Sequence, residues 1–268
     1  MERAIRTAIA LKRRSASATK VFRFPVLVAF SILAFCSGLE GQGGPPMITD
    51  DTGTVPRGQW EINTSFTMER GSVGRVYGSP LLDINYGLSG NTQLKVEIPW
   101  LILGGNGERS ISGLGNTNIG VRWRFRDERE HHRVALSVYP QVEFNNPTSS
   151  VRRGIVDRGP EFLIPLQWQT QVGKFGVNGD IGYRFKRGPD EMIYGVVIGR
   201  EFKERLELLG EIHGSGQRSH LRESEVVYDL GARVKLNGHL TLLLSAGRSI
   251  IRDRDPHLIA YAGIQTTF

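Results

Sequence analysis

The sequence predicts an all-β fold: a transmembrane antiparallel up-and-down β-barrel of about 12 strands. Three observations predict it. From residue 58 to residue 268 apolar and polar side chains alternate almost without interruption. The connections between alternating segments are short and long by turns. Aromatic residues sit at segment ends, and the last of them, Phe268, is also the last residue. A period of two gives a strand two unlike faces, and alternating loop lengths separate two rims.

Three stretches divide the 268 residues. Residues 1–42 read as an export signal. Basic residues precede the apolar run "FPVLVAFSILAFCSGL", which is too short for a comfortable transmembrane helix and is followed by small residues. Ser37, Gly41 and Gln42 are the candidate cleavage positions, and an uncleaved anchor is the alternative. Phe35 stands where a lipoprotein signal would want a small residue, which argues against lipidation of Cys36. Residues 43–57, "GGPPMITDDTGTVPR", are rich in Pro, Gly, Asp and Thr and form an irregular lead-in. It is either a free periplasmic tail or a plug folded back into the barrel. Residues 58–268 form the barrel.

Composition bounds the function. Only 39% of residues are hydrophobic, so no helical membrane bundle is present, and the single cysteine excludes a disulfide framework. The net charge of +7 belongs mainly to the leader. Removing seven of the 34 basic and two of the 27 acidic side chains leaves 27 against 25. Nothing in that balance supports a nucleic-acid partner.

The segments follow in order. Trp60, Ile62, Phe66 and Met68 share a face, as do Leu82, Ile84, Tyr86 and Leu88, then Leu94, Val96, Ile98 and Trp100. Ile119 to Phe125, Val134 to Phe144 and Phe162 to Trp168 complete the first six. Val177 to Phe185, Tyr194 to Ile198, Leu206 to Ile212, Val226 to Leu236, Leu240 to Ala246 and the terminal Leu258 to Phe268 make twelve. The links after the second, fourth, sixth, eighth and tenth segments are short: "SG" at 89–90, Arg126–His132, Thr170–Lys174, Lys203–Arg205 and "NG" at 237–238. Gly and Asn there suit tight hairpins. Those after the first, third, fifth, ninth and eleventh are expected to run roughly eight to fourteen residues, the long side of an outer-membrane barrel; the link after the seventh, "RGPD", breaks the rule.

Alternation alone does not say which face is outside. Trp60, Trp123, Trp168 and Phe268 would mark the short-turn rim, and Trp100, Phe144, Phe162, Tyr183 and Phe185 the long-loop rim. Such girdles are expected where an apolar band meets lipid headgroups. The polar parity carries both signs of charge but few Lys, only five after residue 42. It is therefore read as a wet lumen. The candidate lumen-lining residues are Glu61, Asp83, Lys95, Glu97, Arg122 and Arg124 on the first four segments. Glu143, Asp180 and Arg184 follow on the fifth and seventh, and Glu207, Glu211, Asp229 and Arg233 on the ninth and tenth. An even strand number brings both termini to one side, the periplasm. Phe268 is then the assembly signal that the bacterial barrel-assembly machinery reads.

On the stretches "MITDDTGTVPRGQWEIN", "DINYGLSGNTQLKVEIPW" and "GLGNTNIGVRWRF", with the closing aromatic, residues 47–268 resemble the outer-membrane barrels labelled "meta-pathway of phenol degradation" (MetA-type). The resemblance implies a bacterial outer-membrane transporter in an aromatic-uptake context. Related sequences often carry Asp after the second Gly of "GLG", where this chain has Asn116.

The function expected is passive or facilitated uptake of small molecules, aromatic or hydrophobic compounds among them, through a lumen of backbone radius roughly 12 Å. A structural barrel, or one bound to lipopolysaccharide phosphates through loop arginines, is the alternative. Those arginines are Arg70, Arg75, Arg109, Arg152, Arg153, Arg158, Arg218, Arg222, Arg252 and Arg254. Catalysis is not expected. The His213–Ser215 pair in "HGSG" could form a nucleophile and base, but no third group is evident to orient it. The adjacent His131 and His132 make no metal site, and no cofactor motif appears.

Overall fold

The structure, a computed structural model, describes residues 43–105, 109–128, 133–146, 150–217, 220, 224–251 and 254–268. The expected export segment with Cys36 lies outside the described residues, as do His131, His132, Arg218, Arg222 and Arg252.

Among the described residues there are fourteen strands: β1 (Trp60–Arg70), β2 (Gly74–Ser89), β3 (Thr92–Gly105), β4 (Ile111–Leu114), β5 (Thr117–Arg126), β6 (Val134–Val138) and β7 (Gln141–Phe144), then β8 (Glu161–Val172), β9 (Phe175–Phe185), β10 (Glu191–Phe202), β11 (Leu206–Gln217), β12 (Glu225–Lys235), β13 (Leu240–Ser249) and β14 (Leu258–Thr267). β4 and β5 both pair with β3 and make one stave; β6 and β7 both pair with β8 and make another. Twelve staves result, each antiparallel to its neighbours. β1 pairs with both β2 and β14, so the sheet closes on itself. At the seam Trp60 and Phe268 exchange backbone hydrogen bonds of 2.8 and 3.0 Å.

The faces are inverted relative to a water-soluble protein. Leu230 is 65% exposed and Ile212 54%, whereas Gln167, Asn63 and Asn178 are fully buried. An oily exterior around a hydrogen-bonded interior is the arrangement that lipid solvation favours, since the bilayer offers no partner to a polar group. Aromatic side chains cluster at the two rims. Trp60 meets Tyr86 at 4.5 Å between ring centroids on the short-turn side, and Tyr183 meets Phe185 at 5.1 Å on the other.

Two of the long links expected from the sequence are absent. β1 and β2 extend until only residues 71–73 join them, and β3 runs on to Gly105, where β4 returns along it. The cause is a bulge: the β2 register slips between Gly78 and Leu81. The inward parity therefore changes from Val76 and Gly78 to Leu81 and Asp83. One extra residue moves every later side chain to the other face, so a strict period of two stops there. A second slip lies between β4 and β5, at Gly115–Asn116. The short link Lys203–Arg205 is as expected, and it turns without glycine. Lys203 and Glu204 have φ of 52° and 58°, the paired left-handed residues of a tight hairpin.

Beyond the bulge the inward row of β2 and β3 becomes apolar. Val76, Leu101 and Leu103 are covered by Ile155 and Val156 from the connection between β7 and β8, with Ile111 and Val151 at the margin. This is a small conventional hydrophobic core at the long-loop end of an otherwise mainly polar interior, which holds two smaller apolar clusters.

Two predictions follow the two kinds of surface. Leu230→Arg places a charge on the oily face and should destabilise the barrel by about 2–4 kcal/mol in vesicles, read by urea titration; on a water-facing surface the change would be within about 0.5 kcal/mol. Ile155→Ala should loosen the long-loop core by about 2–5 kcal/mol, seen as faster proteolysis near residues 150–156 while the barrel stays folded.

Candidate functional site

The interior is the candidate site, and residues 43–57 cross it. Their hydrogen bonds and ion pairs with the wall come from seven strands. Glu211 on β11 accepts the backbone N–H groups of Ile48 and Thr49 at 2.9 and 2.6 Å. His213 Nδ1 lies 3.3 Å from Thr49 Oγ1. Arg122 on β5 reaches Asp50 at 2.7 Å and Asp51 at 3.5 Å and donates to Gly53 O at 2.9 Å. Arg233 on β12 donates to the carbonyls of Gly43, Gly44 and Pro45. Gln93 accepts from Val55 N, Gln169 accepts from Thr52 Oγ1, Asn178 donates to Asp50 O, and Ser245 donates to Pro46 O.

The wall is shaped for this segment. A Cβ at Gly195 would sit 1.8 Å from Thr49 Oγ1, and one at Gly231 would sit 2.3 Å from Met47 Cε. Glycine permits so close an approach. The lead-in also supplies apolar contact of its own, Met47 packing on Val197 and Leu209. Asp51 belongs to the lead-in rather than to a spanning strand. Burial raises its carboxyl pKa, and Arg122 is the strongest influence pulling it back.

The candidate residues fall into three groups. Arg122, Glu211 and Arg233 hold the lead-in. Asp83, Lys95 and Glu97 form a wall chain, Lys95 Nζ lying 3.2 Å from Asp83 and 4.0 Å from Glu97, and Asn63 bridges Glu61 to Asp83. The remainder pair locally. Arg184 is 3.5 Å from Glu191, Arg233 is 3.0 Å from Glu207, and Arg124 Nε meets Asp127 at 2.6 Å near the short-turn rim. Glu143 accepts from Asn116 Nδ2 at 2.8 Å, while Asn116 Oδ1 accepts from Asn145. An aspartate at position 116 would set a carboxylate against Glu143, so the amide fits this wall. Asp180 and Asp229 are buried beside the lead-in.

Neutral inward side chains, marked by parity but not by charge, also belong to the site. Gln93, Gln169 and Asn178 hold the lead-in, and Ser137 donates to Gln167 at 2.7 Å. Tyr139, fully buried, stacks under the Arg122 guanidinium at 4.6 Å; it was readable as an inward position of the fifth segment. His213 and Ser215 are both buried on the inward parity. Among the described residues no group of three His, Cys, Asp or Glu converges to hold a metal. Arg109, Arg152, Arg153, Arg158 and Arg254 are exposed in connections; Arg70 and Arg75, expected in a loop, are exposed on the paired ends of β1 and β2, because these strands extend past the bulge.

Two cavities flank the lead-in. The one towards the short turns has about 930 Å³ and is lined by nine cationic and six anionic side chains, among them Arg122, Arg124, Lys174, Arg205 and Arg233. The one towards the long loops has about 200 Å³ and is lined by eight carboxylates against two cations, Lys95 and Arg184. The formal charge of the lining is therefore +3 on the short-turn side and −6 on the long-loop side, with Asp50, Asp83 and Lys95 common to both.

No family model matches the chain, so the resemblance to the meta-pathway barrels rests on its short motifs. No curated protein matches it by sequence. Solved structures do match. An outer membrane channel from Pseudomonas putida F1 superposes with a TM-score of 0.64 at 11% identity, over 85% of this chain and all of that one. The KdgM porin, in complex with disordered oligogalacturonate, gives 0.56 at 11% identity over 78% and 99% of the two chains. The NanC porin gives 0.54 at 7% identity over 77% and 98%. At these identities the likeness shows the fold: a closed β-barrel of the kind found in bacterial outer-membrane channels and porins.

Proposed function

We propose that this chain is a bacterial outer-membrane channel for small molecules, with residues 43–57 acting as a plug between two vestibules. The observation that carries the reading is the oily exterior around a charged, hydrogen-bonded interior with a cavity on each side of the lead-in. The short-turn rim, with both barrel ends, faces the periplasm. The long-loop side faces outward, where the exposed loop arginines meet lipopolysaccharide phosphates. Phe268 at the seam serves as the mark read by the assembly machinery. The solutes are small, because inward side chains and the lead-in leave chambers rather than an open bore. The aromatic or hydrophobic compounds suggested by the meta-pathway resemblance fit the smaller, partly apolar chamber. Inward charges set the local field along the path, as in other selective pores.

Planar-bilayer recording tests this. The intact barrel should conduct weakly, and deletion of residues 43–57 should raise single-channel conductance severalfold. If the deleted barrel folds and passes no ions, the structural-barrel alternative takes its place.

The anchors differ in sign. Arg122→Ala leaves Asp50 and Asp51 without their cation and should cost the docked lead-in about 3–5 kcal/mol, read as a rise in open-channel current. Asp51→Asn should leave the lead-in docked at least as firmly. A carboxyl whose pKa is raised on docking binds its proton more tightly there than when free, so its charged form opposes docking and its neutral form favours it. Arg122 keeps Asp50 at 2.7 Å in that variant. For the same reason acidification through the Asp51 titration favours the docked state as far as this group is concerned.

A further inference from the structure

We propose that the smaller chamber, on the long-loop side of the lead-in, binds an apolar organic monocation: an ammonium carried on one aromatic ring or a short aliphatic body. The proposal rests on the channel reading for its biological sense, and on three features of the chamber for its chemistry.

The first is charge. Eight carboxylates against two cations give the lining a formal net charge of −6 with His213 neutral, or −5 once Asp50 is set against Arg122, which holds it from outside the lining. Lys95 and Arg184 are already engaged by Asp83, Glu97 and Glu191. An anion entering the chamber meets repulsion, whereas a cation meets attraction that low-dielectric walls intensify.

The second is the presence of unmet acceptors. Asp180 on β9 and Asp229 on β12 line the chamber and are 6% and 2% exposed. Each carboxyl is held on one side, Asp180 by the Asp50 backbone and Asp229 by Ser245, while its Oδ1 has no hydrogen-bond partner among the described residues and lies sealed just behind the chamber wall, where the charge of a bound cation would offset it. A buried carboxylate oxygen without a donor is costly. An ammonium group brings three donors and a positive charge. The third feature is the remaining wall. Leu81, Leu163, Ile193, Ile259 and Tyr261 face the chamber, and Ile48 of the lead-in closes it. Such a wall desolvates a hydrocarbon body favourably, and among the described residues the carboxylates do not converge in threes on a metal position. The volume of about 200 Å³ exceeds the roughly 150 Å³ at which an apolar cavity admits benzene.

Binding to the intact, detergent-solubilised barrel by calorimetry tests the assignment without requiring conduction. The probes are 2-phenylethylamine, which is cationic at neutral pH, 2-phenylethanol, which is neutral, and phenylacetate, which is anionic. The amine should bind at least about tenfold more tightly than either of the others, about 1.4 kcal/mol. Asp180→Asn and Asp229→Asn should each weaken it by roughly tenfold, while Glu201→Gln in the other chamber leaves it unchanged. Equal binding of the three probes, no binding of the amine, or folded Asn variants with undiminished affinity would overturn the assignment. If either Asn variant does not fold, the comparison of the three probes on the unaltered chain decides alone. Conductance with no preference for the amine counts against this site and leaves the channel reading standing; amine binding without conductance does the reverse.

Discussion

Every part of this molecule answers to one constraint: in hydrocarbon a main-chain N–H or C=O has no partner except another main chain. An open sheet edge would leave a row of such groups bare. The ten-residue ladder between β1 and β14 removes the edge, from Arg70 opposite Leu258 to Glu61 opposite Thr267. Once the cylinder closes, the alternation of side chains assigns one parity to acyl chains and the other to an enclosed aqueous space. The inverted burial of Leu230 and Gln167 follows from closure.

Closure then poses a second problem, the filling of the interior. A soluble core solves it with interlocking hydrocarbon; here the filling is polar and must be satisfied group by group. Part of the solution lies between staves, in chains such as Asn63, Asp83 and Lys95. The rest comes from residues 43–57, whose backbone offers donors and acceptors where no strand can reach. Arg122 and Arg233 each address this segment at several points, as a forked guanidinium does well. Glycines at 195 and 231 let it lie against the wall. At the long-loop end, where Val76, Leu101 and Leu103 rise above the bulge, a larger oily core returns, beside the smaller clusters of Met47, Val197 and Leu209 and of Leu81, Leu243 and Tyr261.

The sequence made the staves legible because a period of two survives wherever the ladder is regular. It failed where the ladder slips. Gly78, Ser79 and Pro80 read as a loop, yet β2 passes through them by a bulge that exchanges its faces. Gly115 and Asn116 hid β4 in the same way. Charged inward residues stand out by parity and charge together, whereas Gln93, Gln169, Asn178 and Tyr139 share the parity but carry no charge to set them apart from an ordinary strand face. The path of residues 43–57 was open at the sequence level, since Pro- and Gly-rich chain carries no period. Its contacts with the wall come from residues far along the chain, and only the closed cylinder brings Glu211 to Ile48.

The inversion of the two faces also bears on how such a chain can drift over generations. An outward position is wetted by a liquid that reshapes itself around any greasy outline, so Leu, Val, Ile or Phe are nearly interchangeable there. An inward position such as Asn178 or Glu211 meets one fixed counterpart, and a change at either end asks for a matching change at the other. Substitutions should therefore accumulate singly on the rind and in pairs within, a pattern that would erode overall identity quickly while the architecture persists.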